Sequence, residues 1–207
     1  MTPLELLTGS IPPPNSPISG NVARAKEILG DYKLDFPEEF WELASLYGMG
    51  KFFGSQIELL HPCSPGFVSD LMYRLIELSD VVEDYESGHG NDWLPLANVN
   101  EWALFKPTAG DDPDYLFACL GGQGFFSVAA GIAKFIRQYP SVIMPQVFGE
   151  SGDSLPNLFT SSNSYSRYPP PTRESIFGLS ERRVEFGYMT ELFDRLQICW
   201  PGDRSGN

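Results

Sequence analysis

The sequence predicts an α+β fold in which helices pack on an antiparallel β-sheet that runs as a meander. Three observations predict it: a strongly amphipathic helix near residue 40, a series of short strand-like segments separated by turn compositions, and a closing amphipathic helix. The 207 residues, 42% apolar and 14% aromatic, can bury most of their surface around one core. We therefore expect one domain.

The first 19 residues are predicted to be a proline-rich lead-in. Four prolines within residues 11–17 remove backbone donors and favour an extended chain. A helix with one apolar side is expected to follow over residues 20–29. The first ten residues carry no basic residue before their apolar stretch, and no segment approaches the roughly 18 apolar residues of a membrane helix. Neither secretion nor membrane insertion is expected.

Residues 35–48 give the clearest local signal, which is a helix. Pro37 suits a helix start, and Glu38 and Glu39 favour the positive end of the helix dipole. Gly48 is expected to end the helix. The spacing i, i+3, i+4, i+7 predicts a buried stripe of Phe40, Leu43, Ala44 and Tyr47. Trp41 falls off this stripe and is therefore a candidate for exposure, although burial is the commoner outcome for a tryptophan.

The next segments alternate strands and a helix. Residues 50–55 and 56–60 read as two short strands with a reversal at Gly54 and Ser55. Ser64 and Pro65 are expected to open a helix that ends between residues 79 and 86 with an acidic, outward-facing last turn. Its predicted inner face consists of Phe67, Val68, Leu71, Leu75, Leu78 and Val82.

The second half of the sequence predicts the strands of the antiparallel meander. Four strands are expected at residues 94–97, 102–105, 115–120 and 125–128, because glycine, asparagine and proline mark turns between them. A helix over residues 131–139 follows, and Pro140 and Pro145 are expected to end it. Residues 145–172 read as a long surface loop. The final helix, residues 187–198, is expected to return Leu192, Phe193, Leu196 and Trp200 to the core.

The net charge of −13 is concentrated in one part of the chain. Residues 31–120 carry 17 acidic and four basic residues, so the flanks are neutral overall. Such a field repels phosphate backbones and anionic membranes and attracts basic proteins. We therefore expect a protein partner and no direct binding to nucleic acid or membrane. The alternative of a merely solvated acidic surface stays open.

A search for catalytic, metal and cofactor motifs gives no candidate. His61 and His89, the two histidines, read as surface loop residues without triad or metal spacing. The turn at residues 111–114 lacks the glycine and glutamate of a calcium loop, and residues 121–124 lack the lysine of a phosphate loop. We expect a protein that is not an enzyme and binds no cofactor. Three cysteines without a close pair favour the cytoplasm.

The candidate partner-binding residues are aromatic and acidic. Trp41 and Trp93 are the aromatic candidates, since tryptophan amid charge is typical of interfaces. The first acidic candidate, here called the helix-end cluster, consists of Asp80, Glu83, Asp84 and Glu86. The second, the turn cluster, consists of Asp111, Asp112 and Asp114.

The order of these elements resembles the SMI1/KNR4 (SUKH) family over about residues 20–140. The family's helix opening with Leu-Pro and acidic residues has its counterpart in Phe36-Pro-Glu-Glu39, and its Tyr-Gly-x-Gly turn in Tyr47-Gly-Met-Gly50. The following strand of Gly-x-Ile-x-Leu type has its counterpart in Gly54-Ser-Gln-Ile-Glu-Leu59, which has one more residue between the glycine and the isoleucine. Phe36 replaces the usual leucine, and residues from 145 onward have no counterpart. The resemblance thus divides the chain into residues 1–19, 20–140 and 141–207, the last being a loop-rich C-terminal extension.

The resemblance implies an α+β domain that acts by binding proteins. Bacterial members are mostly immunity proteins that neutralise a toxin, often a nuclease, whereas fungal members are regulatory modules. The short chain favours the bacterial type, in which residues 31–120, here called the acidic half, would occlude a basic toxin cleft. A regulatory interaction module without a toxin partner is the alternative. The partner's identity and the oligomeric state remain open at this point.

Overall fold

The computed structural model describes residues 1–83, 93–100, 102–107, 115–120, 124–148, 159–161 and 188–202. It confirms the predicted α+β class, with helices packed on a seven-stranded sheet ordered β6-β5-β4-β3-β2-β1-β7. Every neighbouring pair is antiparallel. The strands are β1 (Gly50–Phe52), β2 (Ile57–Leu59), β3 (Trp93–Val99), β4 (Trp102–Pro107), β5 (Tyr115–Leu120), β6 (Gly124–Ala130) and β7 (Phe159–Ser161).

The centre of the sheet is buried on both faces. All residues of β3 after Trp93 are buried, which is expected for a strand with helices on either side. Pro95 lies within this strand, and the β3–β4 register shifts between Pro95 and Ala97. A bulge accommodates the missing N–H of proline. Asn100, at φ 52°, makes the turn into β4.

The α-helices are largely those predicted, with one exception at the N-terminus. They are α1 (Pro3–Ser10), α2 (Val22–Asp31), α3 (Glu38–Tyr47), α4 (Phe67–Glu83), α5 (Ile132–Gln138) and α6 (Met189–Leu196), with a 3₁₀ turn at Gln197–Cys199. Helix α1 occupies the predicted lead-in. The Thr2 hydroxyl accepts from the Glu5 N–H at 3.2 Å, and the Glu5 carboxylate accepts from the Thr2 N–H at 2.6 Å. This capping box, followed by Pro3, is the overlooked sequence signal.

Helices near both ends of the sequence join the core of the central region. Leu7 and Ile11 from the N-terminal segment, and Leu192 and Leu196 from α6, are buried in one cluster with the sheet and α2 to α5. Helix α1 packs against α5. On the sheet, the Trp102 ring meets Phe135 of α5 at 6.0 Å. The neighbouring β4 residues Ala103 and Phe105 pack instead with Leu78 of α4.

The predicted surface loop over residues 145–172 is wrong in two places. Helix α5 ends at Gln138, just before Pro140 as predicted, but a π-helix continues through Tyr139–Phe148 with Pro145 inside it. Residues Phe159–Ser161 then pair with β1. Local composition favoured a loop, but the exposed edge of β1 supplies hydrogen-bond partners that composition cannot reveal. The rest of that loop lies outside the described residues.

Within the described ranges, no helix is long and apolar enough to cross a membrane.

Candidate functional site

The acidic half of the chain is partly neutralised by ion pairs. Arg74, one of its four basic residues, is only 2% exposed and donates to the Asn98 side chain at 2.7 Å. Two of the cations that pair with this half, Lys26 and Arg195, belong to the neutral flanks. The pairs are Asp31–Arg195 at 2.5 Å, Glu38–Lys26, Glu58–Lys51 at 3.6 Å and Glu77–Arg74 at 2.6 Å.

The two acidic clusters lie almost entirely outside the described residues. Asp80 and Glu83 belong to the last turns of α4, but their side chains are not among those described. Asp84 and Glu86 of the helix-end cluster, and all of the turn cluster, Asp111, Asp112 and Asp114, lie outside the described ranges. Their part in partner binding stays a prediction.

The two tryptophans predicted as anchors have different surroundings. Trp93 begins β3, is half-buried, and packs edge-on against Phe117 with ring centroids 5.2 Å apart. Trp41 is 5% exposed, so of the two outcomes that the sequence left open it is the buried one that the structure shows. Its indole N–H donates to the Phe36 carbonyl at 3.1 Å, and its ring lies edge-on to Phe40. Tertiary packing covers a position that the helical stripe alone leaves outside.

An open groove lies where α1, α2 and α3 meet, and we call it the three-helix groove. Its volume is about 490 Å³, within the range of roughly 300–1,000 Å³ that ligand sites occupy. The apolar lining comes from Leu4 of α1, Val22 of α2, and Trp41 and Leu46 of α3. Leu46 is 37% exposed, so the groove presents an apolar strip to solvent.

Charged side chains line the same groove. Lys26 pairs with Glu38, and its ammonium lies 6.0 Å from the Trp41 ring centroid. Glu42 is exposed and makes no ion pair within the described part of the chain. The charge of Glu42 contributes to raising the pKa of Glu39, which lies one turn earlier on the same helix. One lysine and two carboxylates therefore leave the rim of the groove with an excess negative charge.

Glu39 has a structural task that its sequence context does not reveal. Its carboxylate accepts the Ile132 N–H at 2.7 Å and so caps the first turn of α5, 93 residues further along the chain. Burial raises the pKa of Glu39, while hydrogen bonds from the Ile132 and Ala133 amides lower it. The adjacent Glu38 instead points to Lys26. The two carboxylates therefore act separately, as their adjacent helical positions predict.

His61 is buried, which contradicts its prediction as a surface residue. Only 2% of it is exposed. Its Nε2 lies 3.1 Å from the Ala44 carbonyl, and its Nδ1 accepts the Cys63 N–H at 3.2 Å. Burial lowers the pKa of His61 to about 4, so the imidazole is neutral at physiological pH. It joins the end of α3 to the segment that follows β2. His89 lies outside the described residues.

Cys63 and Cys199 are free, fully buried thiols. Burial raises the pKa of both thiols, and a thiol buried in apolar surroundings is unreactive. Among the described residues, no three histidine, cysteine or carboxylate side chains come together to hold a metal ion.

Sequence reasoning missed two features, the three-helix groove and the capping of α5 by Glu39. Both depend on helices that are distant in the chain.

Comparison with protein-family models finds no match for this chain, and comparisons with curated proteins and with solved structures find none either.

Proposed function

We propose that this protein acts by binding another protein, and that it is an immunity protein that neutralises a cognate bacterial toxin. The observation that carries the proposal is the charge of −13 borne by residues 31–120. An acidic surface attracts a basic cleft and speeds association with it. A nuclease toxin, whose substrate groove is basic, fits this charge.

Two further features support the proposal. The α+β fold with a meander sheet is the fold class that the resemblance to the SMI1/KNR4 family implies. The cytoplasm is the proposed compartment, because free buried thiols at Cys63 and Cys199 are stable in a reducing environment. We propose no catalytic residue and no cofactor.

A regulatory interaction module without a toxin partner is the second candidate. The observation that favours it is the three-helix groove, which offers an apolar strip to solvent. A module that reads short segments of several proteins would use such a surface. Both candidates are binding functions, and they differ in what the partner does.

Affinity capture from the native host, followed by mass spectrometry, identifies the partner. The decisive step is then expression of that partner in a test bacterium with and without this protein. An immunity protein restores growth that the partner alone prevents, and it inhibits the partner's purified activity at a 1:1 ratio. A partner that is harmless when expressed alone contradicts the immunity function and favours the regulatory module.

A further inference from the structure

The three-helix groove has the features of a docking site for a segment of another protein. Leu4, Val22, Trp41 and Leu46 form its apolar lining. Trp41 is held rigidly by its indole hydrogen bond and by the rings of Phe36 and Phe40. Tryptophan is enriched among the side chains that dominate binding energy in protein interfaces, and the exposed Leu46 beside it supplies further apolar surface.

The shape of the groove argues against a small molecule. Small-molecule sites enclose most of their ligand, whereas this groove is open to solvent and Leu46 at its edge is 37% exposed. A helix laid along the groove would cover Leu46 and contact the floor through side chains spaced at i, i+3 and i+4. The geometry therefore favours a peptide segment.

The charges of the rim select the kind of segment. Glu38 is already paired with Lys26, while Glu42 has no ion pair in the part of the chain that the structure describes. A lysine or arginine on the segment would satisfy Glu42 at the edge of an apolar contact. A second copy of this chain fits poorly, because a two-fold contact would place the same acidic rim against itself.

We propose that the three-helix groove binds a basic amphipathic helix of a partner protein, with apolar side chains on Trp41 and Leu46 and a lysine or arginine paired with Glu42. This proposal rests on the proposed function in one respect, which is that the partner is a protein. The groove would then provide short-range contacts, separate from the long-range attraction of the acidic half.

The probe is a fluorescein-labelled 14-residue peptide with leucines at helical i, i+3, i+4, i+7 spacing and lysines on the opposite face. One control peptide replaces each lysine with glutamate, and a second scrambles the order so that the apolar stripe is lost. We expect the basic amphipathic peptide to bind the full chain at least about tenfold more tightly than either control by fluorescence anisotropy.

Two variants test the groove, and each has a matched control elsewhere on the surface. Leu46→Ser and Glu42→Lys should each weaken peptide binding by about tenfold or more. The control for the first is Ile198→Ser, since Ile198 is 59% exposed and does not line the groove. The control for the second is Asp35→Lys, which makes the same change of charge at an exposed position outside the groove. Both controls should bind the peptide as the unaltered chain does.

A direct readout is the Trp41 indole N–H resonance, assigned with the conservative variant Trp41→Phe. It should shift when the basic amphipathic peptide is added. The proposal is overturned if no peptide binds, if the scrambled peptide binds equally well, or if the groove variants match their controls. It is also overturned if an apolar dye fills the groove and peptides do not, or if Leu46→Ser abolishes a dimer.

These results are independent of the test of the immunity function. A failure of peptide binding leaves toxin neutralisation by the acidic clusters untouched, because that function is measured with the captured partner and not with the peptides. Conversely, a harmless captured partner contradicts immunity and leaves the groove contacts measurable with the same peptides.

Discussion

At the scale of single residues, helix α3 separates a buried face from a solvated one. Leu43 is fully buried and Glu42, its neighbour, is exposed. We expect Leu43→Ala to lower the free energy of unfolding by about 2–5 kcal/mol, since it removes buried methyl groups and leaves a cavity. Glu42→Ala should cost less than about 0.5 kcal/mol. Urea titration measures both, and equal losses would contradict the orientation of the helix.

His61 should make stability depend on pH. The pKa of the folded imidazole is about 4, against 6.5 for the unfolded chain. Between these values the unfolded chain binds a proton that the folded chain does not, so stability is full above pH 6.5 and falls towards pH 4. The loss should be on the order of 3 kcal/mol.

Urea titrations at several pH values measure the contribution of His61. His61→Gln should make the free energy of unfolding depend less on pH between 6.5 and 4. His89→Gln, which removes the other histidine, should leave that pH dependence as it is in the unaltered chain. The titration of carboxylates is common to both variants and cancels in the comparison. A curve for His61→Gln that parallels the unaltered chain would show that His61 is not the titrating group.

Glu39 links two elements through one carboxylate. Glu39→Ala should lower the free energy of unfolding by about 1 kcal/mol, because the Ile132 N–H at the start of α5 loses its acceptor. Glu39→Gln keeps a side-chain oxygen and should cost less. Glu38→Ala is the control, since its pair with Lys26 is exposed and contributes little. If the glutamine variant loses as much as the alanine variant, charge and not hydrogen bonding is responsible.

At the scale of elements, the Tyr47-Gly-Met-Gly50 turn is a packing device. Gly48 has φ 63°, and a Cβ there would come within 2.6 Å of the Ile18 carbonyl oxygen. The Met49 N–H donates to that same carbonyl at 2.7 Å. A Cβ on Gly50 would lie 1.8 Å from the ring of Phe159. The glycines therefore allow the lead-in and β7 to approach the end of α3 closely.

The contact of β7 with Gly50 gives a prediction about that strand. Gly50→Ala should lower the free energy of unfolding by about 1–3 kcal/mol, because the new methyl group overlaps the Phe159 ring. Phe159→Ala removes the overlap, so the double variant should lose less than the sum of the two single losses. Denaturant titrations of the four proteins form the cycle. Strict additivity would mean that Phe159 does not pack on Gly50.

At the scale of the whole molecule, the distribution of charge should control how fast a basic partner associates. Reversal of the turn cluster to lysine should slow association with the captured partner by about tenfold or more at low salt. The unaltered rate should fall as salt rises, since screening acts over about 8 Å in physiological salt. Unfolding stability should barely change. We favour the turn cluster over the helix-end cluster because the sequence predicts a hairpin tip at these residues, where no core requires their carboxylates.

Surface plasmon resonance measures these rates, and a matched variant controls for net charge. Its three reversals make the same charge change at exposed positions outside residues 31–120, namely Glu27, Glu191 and Asp194. This control should associate faster than the turn-cluster variant. Only one of the two acidic clusters need matter. If reversal of the turn cluster and reversal of the helix-end cluster both leave the rate and its salt dependence unaltered, electrostatic occlusion is wrong, and contact at the three-helix groove becomes the better account.

Much of the fold could be predicted from the sequence because its elements are locally specified. The stripe of α3 and the turns of the meander each depend on residues within one helix or hairpin. Strand β5 was predicted at its observed bounds, Tyr115–Leu120. The final helix and its buried residues Leu192, Phe193 and Leu196 also followed from helical periodicity. Helix α1 was locally specified as well, through its capping box.

The sequence by itself determined the periodicity of the helices, the meander and the excess of acidic residues. The first two depend on neighbouring residues, and the third is a count over the chain. Tertiary structure alone decided the burial of Trp41 and His61, the pairing of β7 with β1 and the capping of α5 by Glu39. It also formed the three-helix groove from elements as distant as Leu4 and Leu46. Burial and pairing depend on which distant surfaces meet, and local periodicity carries no information about that.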